Sequence, residues 1–116
     1  MSGRKREHLN ETIHTKLSQL LVKEASDPRF QTVTITSVTV AKDSSTARVQ
    51  FSAYDPSVDP VALAESLNRA AGFFGKALGR TLQARRTPRL FFYYDPGFDY
   101  SQEIDVLLKA VRTDDE

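Results

Sequence analysis

The chain has 116 residues, 40% of them hydrophobic and 27% charged, with no cysteine and a formal net charge of +1. That length suits one domain around one core, the composition argues against wholesale disorder, and the lack of thiols excludes a disulfide framework or a thiolate metal site. No apolar run approaches a membrane span, and the basic start Met1-Ser2-Gly3-Arg4-Lys5-Arg6 has no apolar stretch behind it to form a secretory signal, so a cytoplasmic location is expected.

The first helix is expected from about Arg6 to Ser26, where Leu9, Ile13, Leu17, Leu20 and Leu21 recur at three- and four-residue steps. Asp27-Pro28 ends it, because proline pushes the preceding residue out of the helical region. A strand over Thr32 to Ala41 changes phase: Val33 and Ile35 share one parity, Val38 and Val40 the other, which calls for a bulge near Thr36-Ser37 or a strong local twist. Lys42-Asp43-Ser44-Ser45 is a turn. Thr46 to Tyr54 alternates Ala47, Val49, Phe51 and Ala53 with polar residues, so the two strands form a hairpin with one buried face.

Asp59-Pro60 is an N-cap followed by proline at the first helical position. The long helical stretch from Asp59 to Ala84 buries Leu63, Leu67, Ala70 or Ala71, Phe74, Leu78 and Leu82, and Ala70-Ala71-Gly72 interrupts it. A glycine inside a helix costs about 1 kcal/mol against alanine, so the interruption implies a bend. Leu90 to Tyr94 is strongly β-prone and makes a third strand. Asp95-Pro96-Gly97 is a turn, and a short helix from about Tyr100 to Val111 precedes the acidic end. The resulting fold class is α+β: a three-stranded sheet with helices packed on one face and the other face left open. Residues 1–112 form the single domain and residues 113–116 a short acidic tail.

The net charge conceals an asymmetry. Residues 1–89 hold 14 Lys and Arg against 8 Asp and Glu, whereas residues 90–116 hold 2 against 7. A basic body and an acidic end suggest a polyanionic partner, with RNA the first candidate. Arg69, Lys76 and Arg80, spaced seven and four residues apart, fall in one sector of a continuous helix. Arg85-Arg86-Thr87-Pro88-Arg89 extends that row, which is suited to sequence-independent phosphate contacts. Arg29 is a further candidate for phosphate contact, and Arg48 and Gln50 point to the polar face of their strand.

Gly72-Phe73-Phe74-Gly75 matches the GXXG signature of the KH fold, whose loop clamps a nucleic-acid backbone. The chemistry opposes a working clamp, because Phe73 and Phe74 favour burial by about 1.5–3 kcal/mol each. These residues are therefore read as part of a kink with helices packed around it. His8 and His14 have no cysteine or carboxylate pattern around them, so neither metal nor cofactor is expected. No nucleophile elbow or P-loop is present, and no enzyme activity is expected.

In combination, several segments resemble the bacterial ribosome-binding factor A family: Asp27-Pro28-Arg29, Val33-Thr34-Ile35 to Val40, and Asp43 in the turn. Leu67-Asn68-Arg69-Ala70-Ala71-Gly72-Phe73, Arg86-Thr87-Pro88-Arg89-Leu90-Phe91-Phe92, Tyr94-Asp95, and Ile104 to Leu108 complete the pattern. The resemblance implies a type II KH-like domain in the order α-β-β-α-kink-α-β, with the kink at Ala70, Ala71 and Gly72 replacing the GXXG loop. It also implies a non-catalytic assembly factor for the small (30S) ribosomal subunit. Such a factor assists late maturation and 5′-end processing of 16S rRNA and supports growth in the cold. The implied partners are that subunit, its rRNA and a biogenesis GTPase that releases the factor, which is monomeric when free. The chain departs from the pattern at Gly75, where family members often carry arginine, leaving Lys76 as the substitute contact. Two rivals stand beside this reading: a freestanding KH-type binder of single-stranded RNA, and a protein-interaction module using the aromatic strand.

Overall fold

The computed structural model describes residues 3–23, 27–53, 55–82 and 86–96. Helix α1 spans Gly3–Lys23, beginning three residues before the expected start and burying Ile13, Leu17 and Leu21. Asp27 and Pro28 then do more than end a helix. Asp27 caps a 3-10 turn over Pro28–Thr32, accepting a hydrogen bond from the Arg29 amide at 3.0 Å. The turn places Phe30 in the core, a contribution hidden from a helix-to-strand reading.

Strands β1 (Val33–Val40) and β2 (Thr46–Ala53) form an antiparallel hairpin. Its register shifts between Ile35 and Ser37, so the change of parity is met by a bulge at Thr36. In the connecting turn, Ser44 adopts a left-handed φ of 63°, and the Asp43 side chain bonds both the amide and the hydroxyl of Ser45.

Helix α2 spans Pro60–Arg69 and α3 spans Ala71–Thr81. Asp59 caps α2 through the Val61 amide, as its position before Pro60 predicts. Strand β3 (Arg89–Tyr94) pairs parallel with β2, giving a mixed sheet in the order β1-β2-β3. This is the expected α+β architecture of helix, two strands, two helices and a strand. Tyr54, residues 83–85 and the expected helix from Tyr100 to Val111 lie outside the described residues.

One side of the sheet carries the core. Ile35, Val38, Val40, Ala47, Val49, Phe51, Leu90 and Phe92 meet Ile13, Leu17 and Leu21 of α1, Leu63 and Leu67 of α2, and Phe74 and Leu78 of α3. Phe74 packs tilted against Phe30 and Phe92, with ring centroids 5.9 and 6.1 Å away. Such tilted ring pairs stabilise by about 0.5–1.5 kcal/mol beyond area burial. Phe73 does not follow its neighbour inward and is 50% exposed. In a helix, adjacent side chains stand about 100° apart, so burying Phe74 turns Phe73 outward.

Each outer edge of the sheet is held by an asparagine from a helix. Asn10 of α1 accepts from the Val40 amide at 2.8 Å. Asn68 of α2 both accepts from the Phe92 amide, at 2.8 Å, and donates to the Phe92 carbonyl, at 3.0 Å. These bonds occupy backbone groups that an edge strand otherwise leaves open to pairing.

Candidate nucleic-acid interface

The cations named from the sequence do not form one row. The helix breaks at Ala70, with φ −89° and ψ 0°, placing Arg69 on α2 and Lys76 and Arg80 on α3. Residues seven apart share a sector only along one uninterrupted helix, and Arg69 and Lys76 stand on either side of the break. The break also falls before the glycine. Gly72 lies in the first turn of α3, and a Cβ there would meet nothing within 4 Å. The bend therefore belongs to Ala70, and Gly72-Phe73-Phe74-Gly75 is helical throughout rather than a clamp loop.

Arg29 and Arg69 converge on Ser66. Ser66 is buried, and its hydroxyl accepts from Arg29 Nη2 at 2.8 Å and from Arg69 Nη2 at 3.1 Å. Arg29 also pairs with Asp27, Nη2 to Oδ2 at 2.6 Å, and its Nε bonds the same carboxylate. Hydrogen bonding from that side chain holds the Asp27 carboxyl below the usual carboxylate range. Arg29 thus ties the 3-10 turn to α2. Ser66 escaped sequence reasoning, although a serine beside Leu67 and three residues after Leu63 interrupts an otherwise apolar stripe.

A second group lies along a groove of about 520 Å³ between α3 and the outer edge of β3. Ala71, Gly72, Gly75 and Gly79 line its α3 side together with Lys76, and the segment from Thr87 to Phe91 lines the other. The groove is open at Gly72 and Gly75, where nothing lies within 4 Å of the place a Cβ would take. Gly79 differs. A Cβ there would lie 2.8 Å from Thr87 Oγ1, so any larger residue would force the Thr87 side chain to shift where α3 approaches the lead into β3. Asn68 completes the lining. Lys76 and Arg89 place positive charge at this groove.

Arg86 lies near the hairpin turn, where its charge helps hold the Asp43 carboxyl down, after the larger effect of the Ser45 hydrogen bonds. Arg80 is on α3, and Arg85 falls outside the described residues. The basic residues thus divide into an Arg29–Arg69 pair around Ser66, Lys76 and Arg80 one turn apart on α3 with Arg89 across the groove from Lys76, and Arg86 near the hairpin turn.

The model of the family described as ribosome-binding factor A matches residues 5–108. The chain belongs to the ribosome-binding factor A family. Relatives of that name in Trichlorobacter lovleyi and Geotalea uraniireducens are 38% and 36% identical to it. These matches cover 97% and 95% of this chain, and 92% and 90% of the relatives. The crystal structure of ribosome-binding factor A from Thermus thermophilus superposes with a TM-score of 0.69 at 28% identity, covering 77% of this chain and 93% of that one. A homology model of the Thermus factor, fitted into a cryo-EM map of a 30S complex, gives a TM-score of 0.63 at 29% identity, covering 75% of this chain and 91% of that one. The family fold is KH-like, and in this member the α2–α3 junction is the tight break at Ala70. Among the described residues no helix is long and apolar enough to cross a membrane.

Proposed function

We propose that this protein is a non-catalytic assembly factor that docks on the small ribosomal subunit and assists late maturation of its rRNA, including the 5′ end of 16S rRNA. The observation that carries the reading is membership of the ribosome-binding factor A family over nearly the whole chain. The fitted Thermus relative adds support, because it shares this fold and was placed in a 30S map.

Docking proceeds by shape and charge. Lys76 and Arg89 meet phosphates along the groove, while Arg69, Arg80 and Arg86 extend the electrostatic footprint. Arg29 fixes Ser66 and the 3-10 turn and, with its side chain 41% exposed, is a further phosphate contact. Cosedimentation with purified small subunits tests this. The charge-reversed variant Lys76→Glu with Arg80→Glu is expected to bind at least ~10-fold more weakly while keeping its thermal melt, since attachment weakens as fewer phosphates are neutralised. Unchanged cosedimentation would mean that α3 is bystander surface.

A second reading, a freestanding binder of single-stranded RNA, is favoured by the open glycine-lined groove. Sequence-selective capture of a tetranucleotide there, without ribosomal subunits, would promote that reading over subunit docking.

A further inference from the structure

The side of the sheet opposite the core presents only polar, cationic and aromatic side chains. Alternation places Thr34 and Thr39 of β1 outward, with Thr46, Arg48, Gln50 and Ser52 of β2 and Arg89, Phe91 and Tyr93 of β3. No strand residue is acidic, and none of these outward positions is aliphatic. Register sets Arg48 directly beside Phe91, Gln50 beside Tyr93, and Thr46 beside Arg89. The Arg48 guanidinium lies over the Tyr93 ring, 4.3 Å from its centroid, and that of Arg89 lies 5.5 Å from the centroid of Phe91. Phe91 remains 36% exposed. The carboxylate of Asp95, just beyond the end of β3 opposite Arg89, takes a hydrogen bond from Thr36 at 2.8 Å.

We propose that this sheet face, which no described helix covers, is a stacking platform for unpaired nucleobases of a single-stranded RNA segment. Three physical features converge on that occupant. Phe91 and Tyr93 are two residues apart on one strand, so their rings stand about 7 Å apart along it, a step that one nucleotide of extended backbone spans. Bases stack on exposed aromatic rings and on guanidinium planes. Phe91 offers the first kind of surface, and Arg48, already laid on Tyr93, offers the second. Arg48 and Arg89 also supply positive charge for the phosphates between the bases, and no strand carboxylate opposes them. A protein-docking face of this size would draw its central burial from apolar side chains. Here the outward positions of β1 and β2 offer only threonine, serine, glutamine and arginine.

The platform lies on the opposite side of the sheet from α3, so it binds a different stretch of RNA from the Lys76 groove. The two surfaces meet at the edge strand, where Arg89 and Phe91 also border the groove. A strand crossing β3 would engage both.

The test is an NMR titration of the full-length, isotope-labelled protein with an oligoadenylate octamer at low salt. Amide shifts are expected at Arg48, Gln50, Phe91 and Tyr93. The variant Phe91→Leu with Tyr93→Leu keeps apolar bulk on β3 and is expected to bind roughly 5- to 100-fold more weakly, the range for losing aromatic stacking. The variant Lys76→Glu with Arg80→Glu is expected to retain the sheet-face shifts. Shifts confined to Gly72, Lys76 and their neighbours would overturn the platform, as would undiminished affinity in the leucine variant or no binding at about 1 mM RNA. If the leucine variant loses subunit cosedimentation while the wild type ignores the octamer, the face docks protein instead and the proposal fails. Because the titration contains no ribosomal subunit, its failure leaves the subunit-docking reading standing, and the converse also holds.

Discussion

Asp27 performs two jobs with one carboxylate, capping the 3-10 turn and holding the Arg29 guanidinium that reaches Ser66. Only the helix-ending proline beside it is legible in the sequence. The partner that gives Asp27 its second job lies across the fold on α2. Asp27→Ala is expected to cost about 1 kcal/mol at pH 7, in line with the loss of a cap. The sign of the pH dependence follows from the carboxyl being held below its ordinary value near 3.8. Its contribution is complete above that value and is lost as pH falls through the lowered native value. Urea denaturation of wild type and variant at neutral pH and near pH 3 should therefore show a gap that narrows in acid; an equal gap would place the effect elsewhere. Phe73 and Gly72 teach a related lesson about single residues. Residue type favours Phe73 inside and Gly72 at the bend, yet the helical phase set by buried Phe74 turns one outward, and Ala70 takes the bend.

At the scale of elements, the hydrophobic pattern is sufficient wherever one face is buried. Strand parity locates the bulge at Thr36, and the Leu63–Leu67–Phe74–Leu78–Leu82 stripe anticipates the buried side of α2 and α3. What the pattern does not reveal is how the sheet edges end, because edge capping is made by polar side chains distant in sequence. Asn68 matches the family pattern as a residue, but its two bonds to Phe92 depend on α2 lying against β3. Asn68→Ala is expected to destabilise the fold by about 1–3 kcal/mol, two ordinary hydrogen bonds at about 0.5–1.5 kcal/mol each. It should also speed hydrogen exchange at the Phe92 amide. Unaltered exchange at that amide would show that its protection comes from burial alone. An uncapped β3 edge should also raise self-association, the usual hazard of an open strand.

For the whole molecule, the basic residues matter as a field distributed over several surfaces. If Arg69, Lys76, Arg80, Arg86 and Arg89 each neutralise a phosphate on the small subunit, log affinity should fall with log salt at a slope of about −4. Sedimentation at stepped salt concentrations measures that slope, and a value near zero would remove phosphate contact as the basis of docking. By itself the sequence determined the α+β class, the element order, the buried stripes and the family, since these follow from local periodicity, turn chemistry and residue order. Only the tertiary structure decided how the cations are shared out. The break at Ala70 puts Arg69 and Lys76 on different helices, Ser66 gathers Arg29 and Arg69, and the parallel pairing of β3 with β2 brings Arg48 onto Tyr93. Helical spacing predicts neighbours only along one axis, whereas these groups are joined by hydrogen bonds and strand register between segments far apart in the chain.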